Sequence, residues 1–248
     1  MKRFLGAALV AMLVSGQARA DEQDAKAILD KAIKALGGEE KLRKAETATW
    51  KSKGTITFND NKNEFTSRAT MKDLDHYRGE FDGEFNGNAV KGITVINGAK
   101  AWRKFGDMGT ELEGDDLANT KRTVYLQVVP MTLIPLKGDG FKVETAGEEK
   151  VGDAPAVVLK VTPKDGKDFK LSFDKESGLP VKLVAQVVGF GGQEFTQETT
   201  YSGYKEFDGI KRATKTQSKR DGEPFIDVEL TEFKILDTVE PNAFADPQ

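Results

Sequence analysis

Between Ala48 and Leu236 apolar and polar residues alternate with a period of two, run after run. Phe169, Leu171 and Phe173 interleave with Asp168, Lys170, Ser172 and Asp174. Trp50, Ile56 and Phe58 share one parity, while Thr49, Lys51, Lys53, Thr55 and Thr57 take the other. Successive side chains of a strand point to opposite faces, so this pattern specifies sheet with one apolar and one solvated face.

The breaks between the runs are also legible. Asn97-Gly98 separates Ile93–Ile96 from Ala99–Trp102, a strong hairpin signal. Asp165-Gly166, Asp208-Gly209, Asp221-Gly222 and Glu176-Ser177-Gly178 mark further tight turns. Strands joined this closely are antiparallel neighbours, so the pattern predicts a meander. The expected strands span residues 46–58, 63–72, 75–83, 90–97, 100–105, 141–146, 154–163, 168–174, 180–189, 194–205, 210–219 and 224–235. In the last of them Ile226, Val228 and Leu230 share a parity but Phe233 and Ile235 take the other. A bulge near Thr231 restores the facing.

Two stretches depart from alternation. Ile28, Leu29, Ala32, Ile33 and Leu36 recur at helical spacing behind Asp24, a candidate N-cap, and Gly37-Gly38 supplies the stop. Glu39 to Ala45 adds a turn or two. Between Gly114 and Gly140, Asp115 and Asp116 are placed to cap a helix with Leu117, Val124, Tyr125, Val128 and Val129 as its inward stripe. Pro130 is expected to end it. The apolar segment Met131–Leu136, flanked by prolines, is poor strand material and is expected to lie across the sheet as a flap. The result is an α+β chain: one large curved antiparallel sheet of about 11–12 strands, its apolar concave face covered by an N-terminal helix and a mid-chain helix and flap. No Pro- or Ser-rich linker interrupts residues 21–248, which read as one domain.

Residues 1–20 read as a cleaved export signal: Lys2 and Arg3, the apolar run Phe4–Val14, then Ala18-Arg19-Ala20 as the cleavage site. The apolar run is too short for a stable membrane-spanning helix, and no cysteine follows for a lipid anchor. Removing Lys2, Arg3 and Arg19 takes the formal net charge from −3 to −6. Such a chain has no basic footprint for nucleic acid or anionic membrane. The expected location is the periplasm or the exterior. There are no cysteines to staple it, so the core must be large enough to stand alone.

Catalytic chemistry is hard to assemble. His76 is the only histidine, beside Asp73 and Asp75 in a polar turn, and no G-x-S-x-G elbow occurs. Transition-metal ligands are scarce for the same reason. Asn59, Asp60, Asn61, Asn63 and Glu64 crowd oxygen ligands, but the sixth position from Asn59 is Glu64 and not the glycine of a calcium loop. A solvated hairpin tip accounts for them. Gly189-Phe190-Gly191-Gly192 precedes a strand, whereas a phosphate loop precedes a helix. No carboxylate pair stands out for glycoside hydrolysis, and no cofactor is implied.

The apolar residues are more informative. Trp50, Phe58, Phe65, Met71, Tyr77, Phe81 and Trp102 gather in the first half of the sheet. A twisted sheet of a dozen strands curls, and two short helical pieces leave part of its trough unfilled. Such an apolar cleft suits lipid or acyl chains. Two further readings are a protein-interaction module docking an envelope partner through a sheet edge or the flap, and a hydrolase using His76.

The order of landmarks resembles the periplasmic lipoprotein-carrier (LolA/LolB-like) superfamily, including outer membrane lipoprotein-sorting proteins. The landmarks are the helix ending Leu36-Gly37-Gly38; Asp75-His76-Tyr77-Arg78; the hairpin Ile93–Trp102; Phe173-Asp174 with Ser177-Gly178-Leu179-Pro180; and the closing Phe244-Ala245-Asp246-Pro247. The turn Lys72-Asp73-Leu74-Asp75 lacks the basic-proline pair of the true carriers. The double glycine is also similar to zinc-protease-associated β-domains, which are accessory modules. The carrier resemblance implies an unclosed β-barrel whose interior receives acyl chains of lipids or lipoproteins. It implies that Trp50, Phe58, Met71, Tyr77, Phe81, Trp102, Val128, Leu133 and Leu136 line that interior, with no catalytic residue and no metal ligand.

Overall fold

The computed structural model describes residues 23–248 except Asn59, Asp60, Asn86 and Phe190. The expected export signal and parts of the Asn59–Glu64 tip and of the Gly189–Gly192 loop lie outside those residues. Helix α1 covers residues 23–36 and already includes Asp24, expected just ahead of it. Of its expected stripe Leu29, Ala32, Ile33 and Leu36 are buried and Ile28 is partly buried against the core, which Ala25 also joins. At its end Gly38 N–H donates to the Ile33 carbonyl, and Gly37 takes a φ of 130°. A Cβ on Gly37 would also stand 2.5 Å from the Gly209 carbonyl oxygen, so only glycine fits there. Helix α2 follows at Glu39–Lys44, with Leu42 buried.

Six strands come next: β1 (Ala48–Phe58), β2 (Asn61–Asp73), β3 (His76–Phe85), β4 (Asn88–Asn97), β5 (Lys100–Phe105) and β6 (Met108–Leu112). Helix α3 (Gly114–Thr132) and a 3-10 turn (Ile134–Lys137) precede β7 (Phe141–Val151), β8 (Ala154–Pro163), β9 (Phe169–Asp174) and β10 (Pro180–Val188). The chain ends with β11 (Glu194–Ser202), β12 (Lys205–Phe207), β13 (Ile210–Arg212), β14 (Lys215–Arg220) and β15 (Glu223–Ile235).

Thirteen of these form one sheet in the order β6-β5-β4-β3-β2-β1-β15-β14-β11-β10-β9-β8-β7, with every pairing antiparallel. Two meanders are thus joined through the first and last strands. Its edges, β6 and β7, do not pair, so the sheet curves without closing. The bulge falls where parity demands it: Lys51 pairs Glu232 and Ser52 pairs Leu230, leaving Thr231 over, with its hydroxyl on the Lys51 carbonyl.

Three differences from the expected strands have simple causes. Strand β6 is an edge strand exposed at all but Leu112, so it carries no alternation to read. The runs expected at 194–205 and 210–219 each divide in two. Gly203 breaks the first at a φ of 64°, its carbonyl taking the Thr214 hydroxyl, and β12 and β13 peel off as a separate ribbon. Pro130 lies inside α3 and does not end it; the helix stops two residues later, where Leu133 adopts a φ of 60°.

The core fills the concave side with α1, α3 and the segment after it. Leu133, Ile134 and Leu136 are buried there, so the expected flap is packed as a plug. Helix α3 bridges the unpaired edges and is tied to both halves of the sheet. Lys121 Nζ donates to the Gly98 carbonyl at 2.7 Å, and Arg103 Nη2 donates to Thr120 Oγ1 at 2.8 Å. On the far side Arg122, only 3% exposed, donates to the carbonyls of Gln186 (3.0 Å), Lys167 (2.7 Å) and Asp168 (3.4 Å).

Candidate binding cavity

Register fixes which side chains face inward. Trp50, Ser52, Gly54 and Ile56 on β1 lie beside Ala69, Ser67, Phe65 and Asn63 on β2, and beside Phe233, Leu230, Val228 and Ile226 on β15. The same face continues through Thr216, Ser218 and Arg220 on β14 and Gln197, Thr199 and Tyr201 on β11. Opposite stands one stripe of α3, with Thr123, Leu126, Gln127, Pro130 and Met131 at helical spacing. Between them is a partly open cavity of about 340 Å³. This lies at the small end of the range for ligand sites. Leu36 of α1 and the β12–β13 ribbon, through Tyr204, Lys211 and Arg212, complete the wall.

Four glycines explain how the strands bend around this space. Gly54, Gly79, Gly83 and Gly92 all take the concave parity. An added Cβ would meet the Asp227 carbonyl oxygen at 2.1 Å from Gly54, Tyr77 Oη at 2.7 Å from Gly79, and the Phe105 ring at 2.9 Å from Gly92. Missing side chains on the inner face let neighbouring strands and rings approach, which tightens the curl.

The lining is mixed. Leu36, Trp50, Phe65, Leu126, Met131, Leu183, Val187, Ile226, Val228 and Leu230 are apolar, but Ser52, Ser67, Thr199 and Ser218 set a band of hydroxyls among them. Ser52 opposes Ser67 across β1 and β2, and Thr199 Oγ1 lies 2.9 Å from Ser218 Oγ. Two arginines also reach the wall. Arg220 is half-buried, donates to Gln197 Oε1 at 3.1 Å and stacks on Phe225 at 3.6 Å and Phe195 at 5.2 Å. Arg212 is 5% exposed, lies 4.4 Å from the Phe233 ring and has no hydrogen-bond partner at Nη1. Burial pulls its pKa down to about 9, offset in small part by Tyr204, so it is still cationic at neutral pH. Burial likewise raises Tyr201 and Tyr204, which are uncharged.

The nine residues implied by the family resemblance are distributed unevenly. Trp50 lines the cavity, with its ring 6.3 Å from that of Tyr77. Tyr77 sits one layer behind and donates to Gln127 Oε1 at 3.3 Å; burial pushes its pKa up to about 12. Phe81 stacks on Phe65, a lining residue, at 5.2 Å. Met71, Val128, Leu133 and Leu136 are packed in the core. Phe58, at the end of β1, is 59% exposed. Trp102 pairs with Val95, whereas Arg103 takes the inward parity, so Trp102 faces the convex side. It falls outside the expected lining because β5 enters the sheet one residue out of phase with that expectation.

The lining residues that sequence reasoning missed lie mostly in the second half of the chain. Thr123 and Gln127 look like a solvated helix face, and Thr216, Ser218 and Arg220 like a polar strand. The only signal was parity shared with Ile226, Val228 and Leu230 across the β14–β15 turn.

His76 stands on the convex side, its Nδ1 2.8 Å from Asp73 Oδ1 and its ring 5.7 Å from that of Phe244. Phe244 is buried in that contact. Among the described residues no three His, Cys, Asp or Glu side chains converge as a metal ion would require, and no helix is long and apolar enough to cross a membrane.

Comparison with known proteins agrees on architecture. A LolA superfamily protein from Nitrosomonas europaea superposes with a TM-score of 0.58 at 12% identity, covering 89% of this chain and 97% of that one. A DUF1329 family protein from Desulfovibrio piger gives 0.56 at 14% identity, covering 89% and 96%. A protein described as an outer membrane lipoprotein-sorting domain, from Vibrio parahaemolyticus, gives 0.53 at 12% identity, covering 88% and 97%. No family model and no curated protein matches the sequence. The chain has a LolA-like fold.

Proposed function

We propose that this protein is an exported carrier that holds one acyl chain, from a lipid or an acylated protein, between the concave sheet and α3, and does no chemistry on it. The cavity itself carries the proposal: an open space of about 340 Å³ with an apolar floor, left where helix and sheet do not meet. The sorting description attached to the Vibrio parahaemolyticus structure supports the acyl class of ligand. Trp50, Leu126, Met131, Val228 and Leu230 would contact the chain. Each methylene removed from water contributes about 0.8 kcal/mol. Ten would give roughly 8 kcal/mol before the cost of association, a scale that allows both capture and release. The periplasm is the proposed location.

Native mass spectrometry of protein purified without detergent tests this. The expected species carries one acylated molecule, or takes up palmitate or a diacylated lipopeptide at 1:1. A ligand-free species that takes up neither contradicts the carrier.

A further inference from the structure

Among the described residues two arginines, Arg122 and Arg212, are buried, and only the first has every buried nitrogen partnered. Arg122 meets three backbone carbonyls and the Tyr125 hydroxyl, with Asp165 3.9 Å away. Arg212 has the Phe233 ring on one side and an unpartnered Nη1. Among the described residues no carboxylate lies within ion-pair distance of it. A guanidinium withdrawn from water needs a counter-charge and acceptors, and its planar fork matches a carboxylate or phosphate. Arg220, on the same wall, is already held by Gln197 and two rings.

We propose that Arg212 receives the anionic headgroup, carboxylate or phosphate, of a single-chain amphiphile whose acyl chain lies along Trp50, Leu230 and Val228 beneath α3. This rests on the carrier reading of the same cavity and adds the charge of its ligand. The hydroxyls of Ser52, Ser67, Ser218 and Thr199 then belong to a wall that tolerates a polar end. Trp50 lines the cavity and pairs across β15 with Phe233, whose ring carries the Arg212 guanidinium, so the indole lies between the headgroup end and the chain.

The test is isothermal titration of the mature protein with four amphiphiles of matched chain: palmitate, palmitoyl glycerol phosphate, neutral monopalmitoylglycerol and cationic hexadecyltrimethylammonium. Wild type is expected to bind an anionic form at least about tenfold more tightly than the neutral one. Carboxylate and phosphate separate by which of the two is tighter. Arg212→Met is expected to abolish the preference, bringing the anionic forms down to the affinity of the neutral one, and Arg212→Lys to keep part of it. Lys160→Gln, on the convex face, serves as a control and should match wild type. The free Arg212→Met protein should melt higher than wild type, since an uncompensated buried charge is gone. Equal binding of neutral and anionic forms by wild type, a preference that survives Arg212→Met, or a lower melting temperature for that variant overturns the headgroup assignment. Binding of none of the four overturns the carrier reading with it.

Discussion

Arg122 and Arg212 are the same residue in two opposite situations, and they respond oppositely to the same substitution. Arg122→Met removes the donor to the Gln186, Lys167 and Asp168 carbonyls and unfastens α3 from β10 and the β8–β9 turn. A loss of about 3 kcal/mol in urea unfolding is expected, the scale of a broken buried network. Arg212→Met removes a charge that has no carboxylate partner among the described residues, and is expected to stabilise. Neither arginine was legible in the sequence. Arg122 sits between Lys121 and Thr123 in a helix whose apolar stripe lies elsewhere, and Arg212 sits in a short ribbon among Lys211, Ala213 and Thr214. Burial of a cation depends on what packs over it from distant parts of the chain, and no local pattern records that. Trp50 was legible because its parity is fixed by the ten other residues of β1. Trp102 was not, because β5 is short and its inward position is occupied by Arg103.

At the level of elements, alternation located nearly every strand, and parity alone placed the Thr231 bulge. The limits of that method are visible at β6, whose exposure erases the pattern, and at Gly203, where a strand leaves the sheet without losing its alternation. The bending of the sheet was also hidden, since Gly54, Gly79, Gly83 and Gly92 acquire a common face only once β1 to β4 are in register. Substitution there should be graded by what the new methyl meets. Gly54→Ala drives it into the backbone at Asp227 and should cost about 3 kcal/mol in urea unfolding. Gly92→Ala meets the Phe105 ring, which can turn aside, and should cost about 1 kcal/mol. Equal costs would mean that the backbone approach at Gly54 does not constrain the curl. The segment Met131–Leu136 was expected over the sheet and is found there, packed at Leu133, Ile134 and Leu136, with Met131 and Pro130 left facing the cavity.

At the scale of the whole molecule, one topological fact produces the site. Pairing the first strand with the last puts β1 and β15 in the middle of the sheet and strands β6 and β7 at its open ends. The connection between those ends must then cross the concave face, and α3 is that connection. Its stripe of Thr123, Leu126, Gln127, Pro130 and Met131 faces the cavity that lies between it and the sheet. The two tryptophans sit on opposite faces of this sheet, which makes them separate reporters of its inside and outside. Palmitate brominated in mid-chain quenches an indole that it touches. Titrated into Trp102→Phe, where Trp50 is the remaining indole, it is expected to quench fluorescence saturably; titrated into Trp50→Phe, it is expected to leave Trp102 unchanged. Saturable quenching of Trp102 with none at Trp50 would put the hydrocarbon on the convex face and contradict an acyl chain held beneath α3.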